Sequence, residues 1–509
     1  MKPIAFALLS ALLWSALPWG RAEDWPMWGR NSTRNMVSPE KNPPTDWQVE
    51  VKNKQGEVVK AGRNIKWAVP VGRRSQGSPV VAHGMVWVGT NASKMEGEQR
   101  QDFSVLKCFR ESDGKLLYEY WSPRLSGRGF HQHHDWPGSS MASSPLIEGD
   151  RLWLRTNRAD VVGFDIGPLR RGVGDPKVVW KTDMIQDFGV VPHHPAMAMG
   201  VTPSLGPTYK NLLHVITGNG IDQDYEKVAA PNAPSVICLD KDTGKAVWKD
   251  ASPGKNIMLS QLSSPLLAEV HGKTQVIVGL GDGWLRAFEP TTGKLIWKCD
   301  LNPKNTKWET AGRGTKNYCV GTPVFHDNRI YIGTGQDAEH YEGLAWFYCI
   351  NPTKEGDISL ELVDEQGQVC LNPNSGIVWR FGGPTTPKDQ QKTQRDYYFG
   401  RTVGTCAIAG DLVYISEISG YVHCLDARCG KRYWLYDFKS DAYGSPLWVD
   451  GTVYVPTGDG DMLLFEHGRA KKEPRRIEMS HALYSTPVFA NGVLYVLSES
   501  TLYAIQEKK

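Results

Sequence analysis

The sequence predicts an all-β protein, a single eight-bladed β-propeller closed by an N-terminal strand. Three observations carry that expectation. A hairpin motif centred on Gly-Lys recurs along the chain, a Ser/Thr-Pro strand signature recurs with it, and consecutive copies stand as little as 40 residues apart. Four short strands per unit at that period are the mark of propeller blades.

The hairpin is read in Val236 to Trp248 (VICLDKDTGKAVW), Leu285 to Trp297 (LRAFEPTTGKLIW), Val422 to Trp434 (VHCLDARCGKRYW) and, more loosely, Leu106 to Tyr118 (LKCFRESDGKLLY). The first strand alternates its side chains. The turn needs a residue at positive φ, which glycine supplies without a Cβ clash. The second strand ends in a large aromatic, and Trp67, Trp180, Trp248, Trp297, Trp379 and Trp434 are expected to wedge between neighbouring blades.

Around these hairpins runs a second signature: Ser/Thr-Pro, a few apolar residues, a Gly or Asn turn, and a strand rich in β-branched and aromatic residues. It stands at Ser78-Pro79, Ser144-Pro145, Thr202-Pro203, Ser264-Pro265, Thr322-Pro323, Ser445-Pro446 and Thr486-Pro487, and Thr405-Cys406 makes the eighth copy. The last unit ends at Ile505 without an outer strand, while Asn64 to Val69 (NIKWAV) precedes the first unit and carries Trp67. That strand is therefore expected to complete the eighth blade and remove the open edges of the ring.

The 509 residues are 40% hydrophobic and 22% charged, a folded composition. A net charge of +3, from 58 basic and 55 acidic residues, offers no polybasic field, so no nucleic-acid partner is expected. Lys2, an apolar run from Ile4 to Trp19, and the small residues Gly20 and Ala22 read as a signal peptide over residues 1–22. This predicts a periplasmic or secreted protein with no transmembrane segment in the mature chain, an N-terminal extension over 23–62 and the propeller over 63–509. Of the nine cysteines, Cys108, Cys238, Cys349 and Cys424 share one repeat position, where other copies have Ala287, Ala504 and Gly163. They are expected to be small buried thiols, not a disulfide framework.

These motifs resemble the pyrroloquinoline-quinone (PQQ) type of propeller repeat, over residues 64 to 505. That family includes the quinoprotein alcohol dehydrogenases and the outer-membrane-assembly propeller lipoprotein. DWPMWGR at Asp24 to Arg30 and GLGDGW at Gly279 to Trp284 further resemble a group of exported bacterial propellers. The resemblance implies the quinoprotein alcohol dehydrogenase-like eight-bladed fold and leaves two functions open. One is a binding or scaffold protein that presents a loop-rich face to a protein, glycan or small-molecule ligand. The alternative is a PQQ-dependent oxidoreductase, with PQQ and calcium as cofactors. Dehydrogenases of this family place a disulfide between adjacent cysteines against the quinone, and no two cysteines are adjacent here.

Strand order places the connections between second and third strands, and between blades, on one face. The insertions at Asn91 to Ser104, Asn219 to Ser235 and Gly335 to Trp346 belong to that face. His131, His133, His134, His193 and His194, with Asp337, Glu339 and His340, are the candidate contacts for a loop-bound metal ion, since imidazole suits transition metals and clustered carboxylates suit harder cations. Asp222, Asp224 and Glu226 form a second acidic loop. GLGDGW reads as a strand turn, with no helix N-terminus to cradle phosphate.

Overall fold

The computed structural model describes residues 23–125, 140–193, 204–336, 342–479 and 481–507. Eight sheets of four antiparallel strands follow one another along the chain. Blade 1 comprises Val80–Ala82, Met85–Glu96, Gln99–Arg110 and Leu116–Pro123, and blade 2 Leu146–Glu148, Arg151–Arg155, Asp160–Asp165 and Lys177–Asp183. Blade 3 takes Thr208–Tyr209, Leu212–Ile216, Val236–Asp240 and Ala246–Asp250, and blade 4 Leu266–Val270, Lys273–Gly279, Trp284–Phe288 and Leu295–Asp300. Blade 5 is Val324–His326, Arg329–Gly333, Trp346–Ile350 and Ile377–Gly382, and blade 6 Ala407–Ala409, Leu412–Ser416, Tyr421–Asp426 and Arg432–Asp437. Blade 7 is Leu447–Val449, Thr452–Pro456, Asp461–Glu466 and Arg475–Glu478. Blade 8 joins the chain ends: Val488–Ala490, Val493–Leu497 and Thr501–Ile505 pair with Ile65–Pro70, which sets Trp67 opposite Ala504. The closure expected from the sequence is the one observed. Among the described residues no helix is long and apolar enough to cross a membrane.

The repeat position shared by the cysteines has a packing reason. In the third strand, Gly163, Cys238, Ala287, Cys349, Cys424 and Ala504 stand directly opposite Trp180, Trp248, Trp297, Trp379, Trp434 and Trp67 of the outer strand, and Cys108 stands opposite Tyr118. Only a small side chain leaves room for the indole across the ladder. The pairing shifts register immediately after each of these residues, so a bulge accompanies every aromatic.

The indoles then bridge blades. Trp67, Trp180, Trp248, Trp379 and Trp434 each donate Nε1–H to a turn carbonyl of the following blade, those of Glu111, Lys241, Pro290, Ala427 and Gly468, at 2.8–3.0 Å. The turn glycine lies under the ring: a Cβ on Gly293, at φ +71°, would sit 2.5 Å from Trp248. Glycine is thus required there both for the turn and for the close approach. Trp297 differs, donating to Gln275 of its own blade. Its outer strand is covered by Gly356–Asp357, which adds in parallel as a fifth strand. That segment belongs to an insertion between the third and outer strands of blade 5, where the sequence reading named no insertion. A hairpin of Glu361–Val363 and Val369–Leu371 completes it.

All nine cysteines are free; Cys370 and Cys429 are exposed and the other seven buried. Burial pushes the Cys238, Cys349 and Cys424 thiols up to about 12. Three outcomes are expected. Thiol titration should find two fast-reacting groups in the native protein and nine in denaturant, and a disulfide framework would appear as a shortfall in the second figure. Trp248→Ala should lower unfolding stability by about 3–5 kcal/mol in denaturant titration, and Gly293→Ala by about 1–3 kcal/mol through overpacking of the same contact.

Candidate functional site

The first strand of each blade begins at the axis, where its backbone donors face other strands and not water. The Ser/Thr-Pro signature answers that demand. The backbone N–H groups of Ser144, Ser204, Ser264, Thr322, Thr405, Ser445 and Thr486 donate to the hydroxyls of Ser204, Ser264, Thr322, Thr405, Ser445, Thr486 and Ser78 respectively, at 2.8–3.3 Å. The Ser144 hydroxyl donates to the Ser78 carbonyl at 2.9 Å and closes the ring. In most blades the next residue is proline, which brings no further N–H to satisfy. In blade 3 the ring residue is Ser204; Thr202 and Pro203 lie outside the described residues.

Below this ring the channel is filled by the chain itself. Of the N-terminal extension expected over 23–62, residues 24–42 run round the axis and meet the blades in order. Trp25 exchanges two backbone hydrogen bonds with Val81 of blade 1, and the Pro26 carbonyl accepts from Ile147 of blade 2. Ser32 and Thr33 accept from Leu267 and Phe325 of blades 4 and 5, and Met36 from Trp448 of blade 7. The Asn35 side chain exchanges two bonds with the Ile408 backbone of blade 6. Both Glu40 carboxylate oxygens accept from blade 8, one from Asn491 and one from Gly492, each at 2.8 Å.

Above the ring, Leu262, Val320, Val403 and Tyr443 from the blade connections pack with Ile221, Leu259 and Ile418 into one apolar cluster, every member at most 7% exposed. Between this cluster and the Trp28 indole lies a cavity of about 30 Å³, lined by Gln76 and the ring hydroxyls. That volume holds one or two waters, whereas an organic cofactor needs several hundred Å³. Carboxylates that would hold calcium are absent from the cavity lining, and among the described residues no group of three or more His, Cys, Asp or Glu is placed to bind a metal. The described channel does not fit PQQ with calcium.

Of the candidate contacts, the structure describes His193. It is buried at 1% exposure, its N–H donates to Gly218, its Nδ1 lies 3.2 Å from the Ile221 carbonyl, and its ring meets Tyr225 edge-on. It holds the blade 3 insertion in place. His131, His133, His134, His194, Asp337, Glu339 and His340 lie outside the described residues. Asp222 caps its own turn by accepting from Glu226 and Lys227. GLGDGW is the tight turn between second and third strands of blade 4, where Asp282 pairs with Arg286 through two hydrogen bonds at 2.6 and 3.0 Å.

A buried charge network on the insertion-bearing face had no sequence signal, because Arg395 and Glu417 come from different connections and His423 from a strand. Glu417 and His423 are fully buried, and Arg395 is 7% exposed. Glu417 accepts from Arg395 at 2.5 Å, from His423 Nε2 at 2.6 Å and from Ser419 at 3.1 Å. The Arg395 guanidinium also stacks on Tyr421, 3.9 Å from the ring centroid. Burial alone would raise the Glu417 pKa, but the His423 hydrogen bond and the charges of His423 and Arg395 together hold it below the ordinary range. Burial lowers the His423 pKa below its ordinary value, although the Glu417 hydrogen bond and charge work the other way.

A closed eight-bladed ring with this repeat defines a propeller of the PQQ type. The family model for outer membrane protein assembly factor BamB matches residues 177–367 and 365–500, and the chain belongs to that family. The dehydrogenase subunit of a quinone alcohol dehydrogenase from Gluconacetobacter polyoxogenes is 26% identical over 273 residues, 44% of this chain and 34% of that subunit. The chain thus matches about a third of that relative's length. Tetrathionate hydrolase of Acidithiobacillus ferrooxidans is 21% identical over 392 residues, 70% of this chain and 66% of the relative. Among solved structures, the quinohemoprotein alcohol dehydrogenase of Comamonas testosteroni superposes with a TM-score of 0.56 at 12% identity, covering 97% of this chain and 82% of its own; this is a likeness of fold.

The buried network makes stability pH-dependent with a definite sign. Both folded pKa values are depressed, so the unfolded chain takes up protons first as pH falls. Stability present above the ordinary histidine range is lost as pH drops through about 6.5, and further through the carboxylate range. Glu417→Gln should cost about 3–5 kcal/mol at pH 7 by leaving Arg395 unpaired. His423→Gln should flatten the loss of unfolding midpoint between pH 7 and pH 5 relative to the parent; equal slopes would remove the histidine from this role.

Proposed function

We propose that the chain is an exported binding or scaffold propeller that presents its insertion-bearing face to a protein, glycan or small-molecule partner in the periplasm or outside the cell. The observation that carries this reading is the filled axis. With the channel occupied by the protein's own residues on both sides of the hydroxyl ring, the surface left for a partner is the set of connections outside it. Membership of a family named for an outer-membrane assembly factor supports the reading.

Within it, the loops carrying His131, His133, His134, His194, Asp337, Glu339 and His340 are the proposed contacts, and His193 is the post on which the neighbouring insertion rests. The alternative, quinone-dependent oxidation, draws support from the dehydrogenase relatives and is opposed by the size and lining of the axial cavity.

The decisive experiment adds PQQ and calcium to the purified chain and follows the quinone absorption together with dye-linked alcohol oxidation. No stoichiometric quinone spectrum and no turnover are expected, and saturable quinone binding would promote the dehydrogenase reading. Calorimetric titration with Zn²⁺ tests the loops. Replacing His131, His133, His134, His194 and His340 by Ala should abolish any zinc binding by the parent while leaving the unfolding midpoint within about 0.5 kcal/mol.

A further inference from the structure

We propose that residues 24–42 are a built-in peptide ligand of the channel, a lasso that makes one circuit of the axis and holds the eight blades in register. The segment belongs to none of the blades as a member of its four-strand ladder. Only Val37–Ser38 pairs in strand fashion, running parallel to Trp448 and Val449 of blade 7. The other contacts are spread over the remaining blades, so each blade keeps its own ladder without the segment while the segment reads all eight.

The stations are repeat-specific. In blades 1, 2, 4, 5, 6 and 7 the lasso receives the N–H of the third residue after the ring hydroxyl: Val81, Ile147, Leu267, Phe325, Ile408 and Trp448. Blade 3 has Pro207 at that position and no N–H to give. There the contact is made by the Arg34 guanidinium, which donates to Leu205 at 2.6 Å, to Pro265 of blade 4 at 3.0 Å, and to the lasso's own Trp28 carbonyl. Arg34 is 0% exposed and has three backbone carbonyls where a buried guanidinium ordinarily has a carboxylate. Desolvation pushes its pKa down to about 9, so its charge is held only by the peptide dipoles the closed ring converges on it. Gly29 permits this fold-back: at φ +70°, its Cβ would lie 2.7 Å from the Arg34 Cα. The channel therefore recognises a segment that turns back on itself near its middle, by hydrogen bonds from the blades along its length and by one buried guanidinium. The tether through residues 43–64 raises the local concentration of this ligand.

The test uses the full chain with a protease site inserted in the exposed turn at residues 53–57. After cleavage of the folded protein, the N-terminal fragment should co-elute with the propeller on gel filtration. It should then exchange slowly against an excess of fluorescent synthetic peptide of residues 23–54. Arg34→Met with Asn35→Ala, made in the same background, should speed that exchange at least tenfold, with circular dichroism reporting that the blades remain folded. Loss of the fragment from the cleaved parent during elution, or exchange of the variant at the parental rate, would overturn the proposal. If the double variant does not fold, Asn35→Ala alone is measured, and unchanged exchange then overturns it equally.

Discussion

A propeller brings the ends of eight strands to one axis, and the backbone donors gathered there must be satisfied without water. The annulus of serine and threonine hydroxyls from Ser78 round to Thr486 meets that constraint, and much else follows from it. Because each N–H is taken by the neighbouring blade, no blade completes its own hydrogen bonding in isolation. Each donor is satisfied only when its neighbouring blade is in place, and the last of these bonds, from Thr486 to Ser78, needs the ring closed by the strand Ile65–Pro70, which pairs with residues more than four hundred positions away. An unmade bond in such a setting costs the full desolvation of the donor, on the order of 1–3 kcal/mol. The annulus therefore selects the closed form more than it strengthens it.

At the circumference a different interaction does the same work. The outer-strand indole needs a small residue opposite, a bulge beside it and a glycine beneath it in the next blade. One side chain thereby fixes cross-strand spacing, local twist and the angle between blades. Inner and outer contacts are independent in chemistry, one polar and one apolar, and they agree on the same geometry. That agreement across levels is what makes a repeated sequence specify a single ring.

The blades were legible from the sequence because their determinants repeat: the turn glycine, the aromatic, the Ser/Thr-Pro pair and the small third-strand residue each recur at a fixed offset. What stayed hidden occurs once. DWPMWGR could be matched to similar sequences, but nothing in its residues says that it enters the channel, since its partners, from Val81 to Gly492, are scattered over the whole chain. The insertion within blade 5 interrupts a hairpin that elsewhere is short, so the repeat pattern argued against it. The Arg395, Glu417 and His423 network is assembled from two connections and a strand, and no local spacing announces it. Histidine clustering in the sequence pointed to a metal; the one member the structure describes, His193, is bound to the backbone of the blade 3 insertion. Clustering reports composition, whereas coordination depends on where the ring nitrogens are directed.

The circuit of the N-terminal segment also fixes where it leaves the ring. Asp24 accepts from the backbone of His83 and from the side chain of Asn491, both in turns between first and second strands. Those turns share a side of the disc with the Gly-Lys hairpins and lie opposite the connections between second and third strands. The Asp24 carboxylate thereby clasps the turns of blades 1 and 8, the two neighbours across the junction where the ring of blades begins and ends.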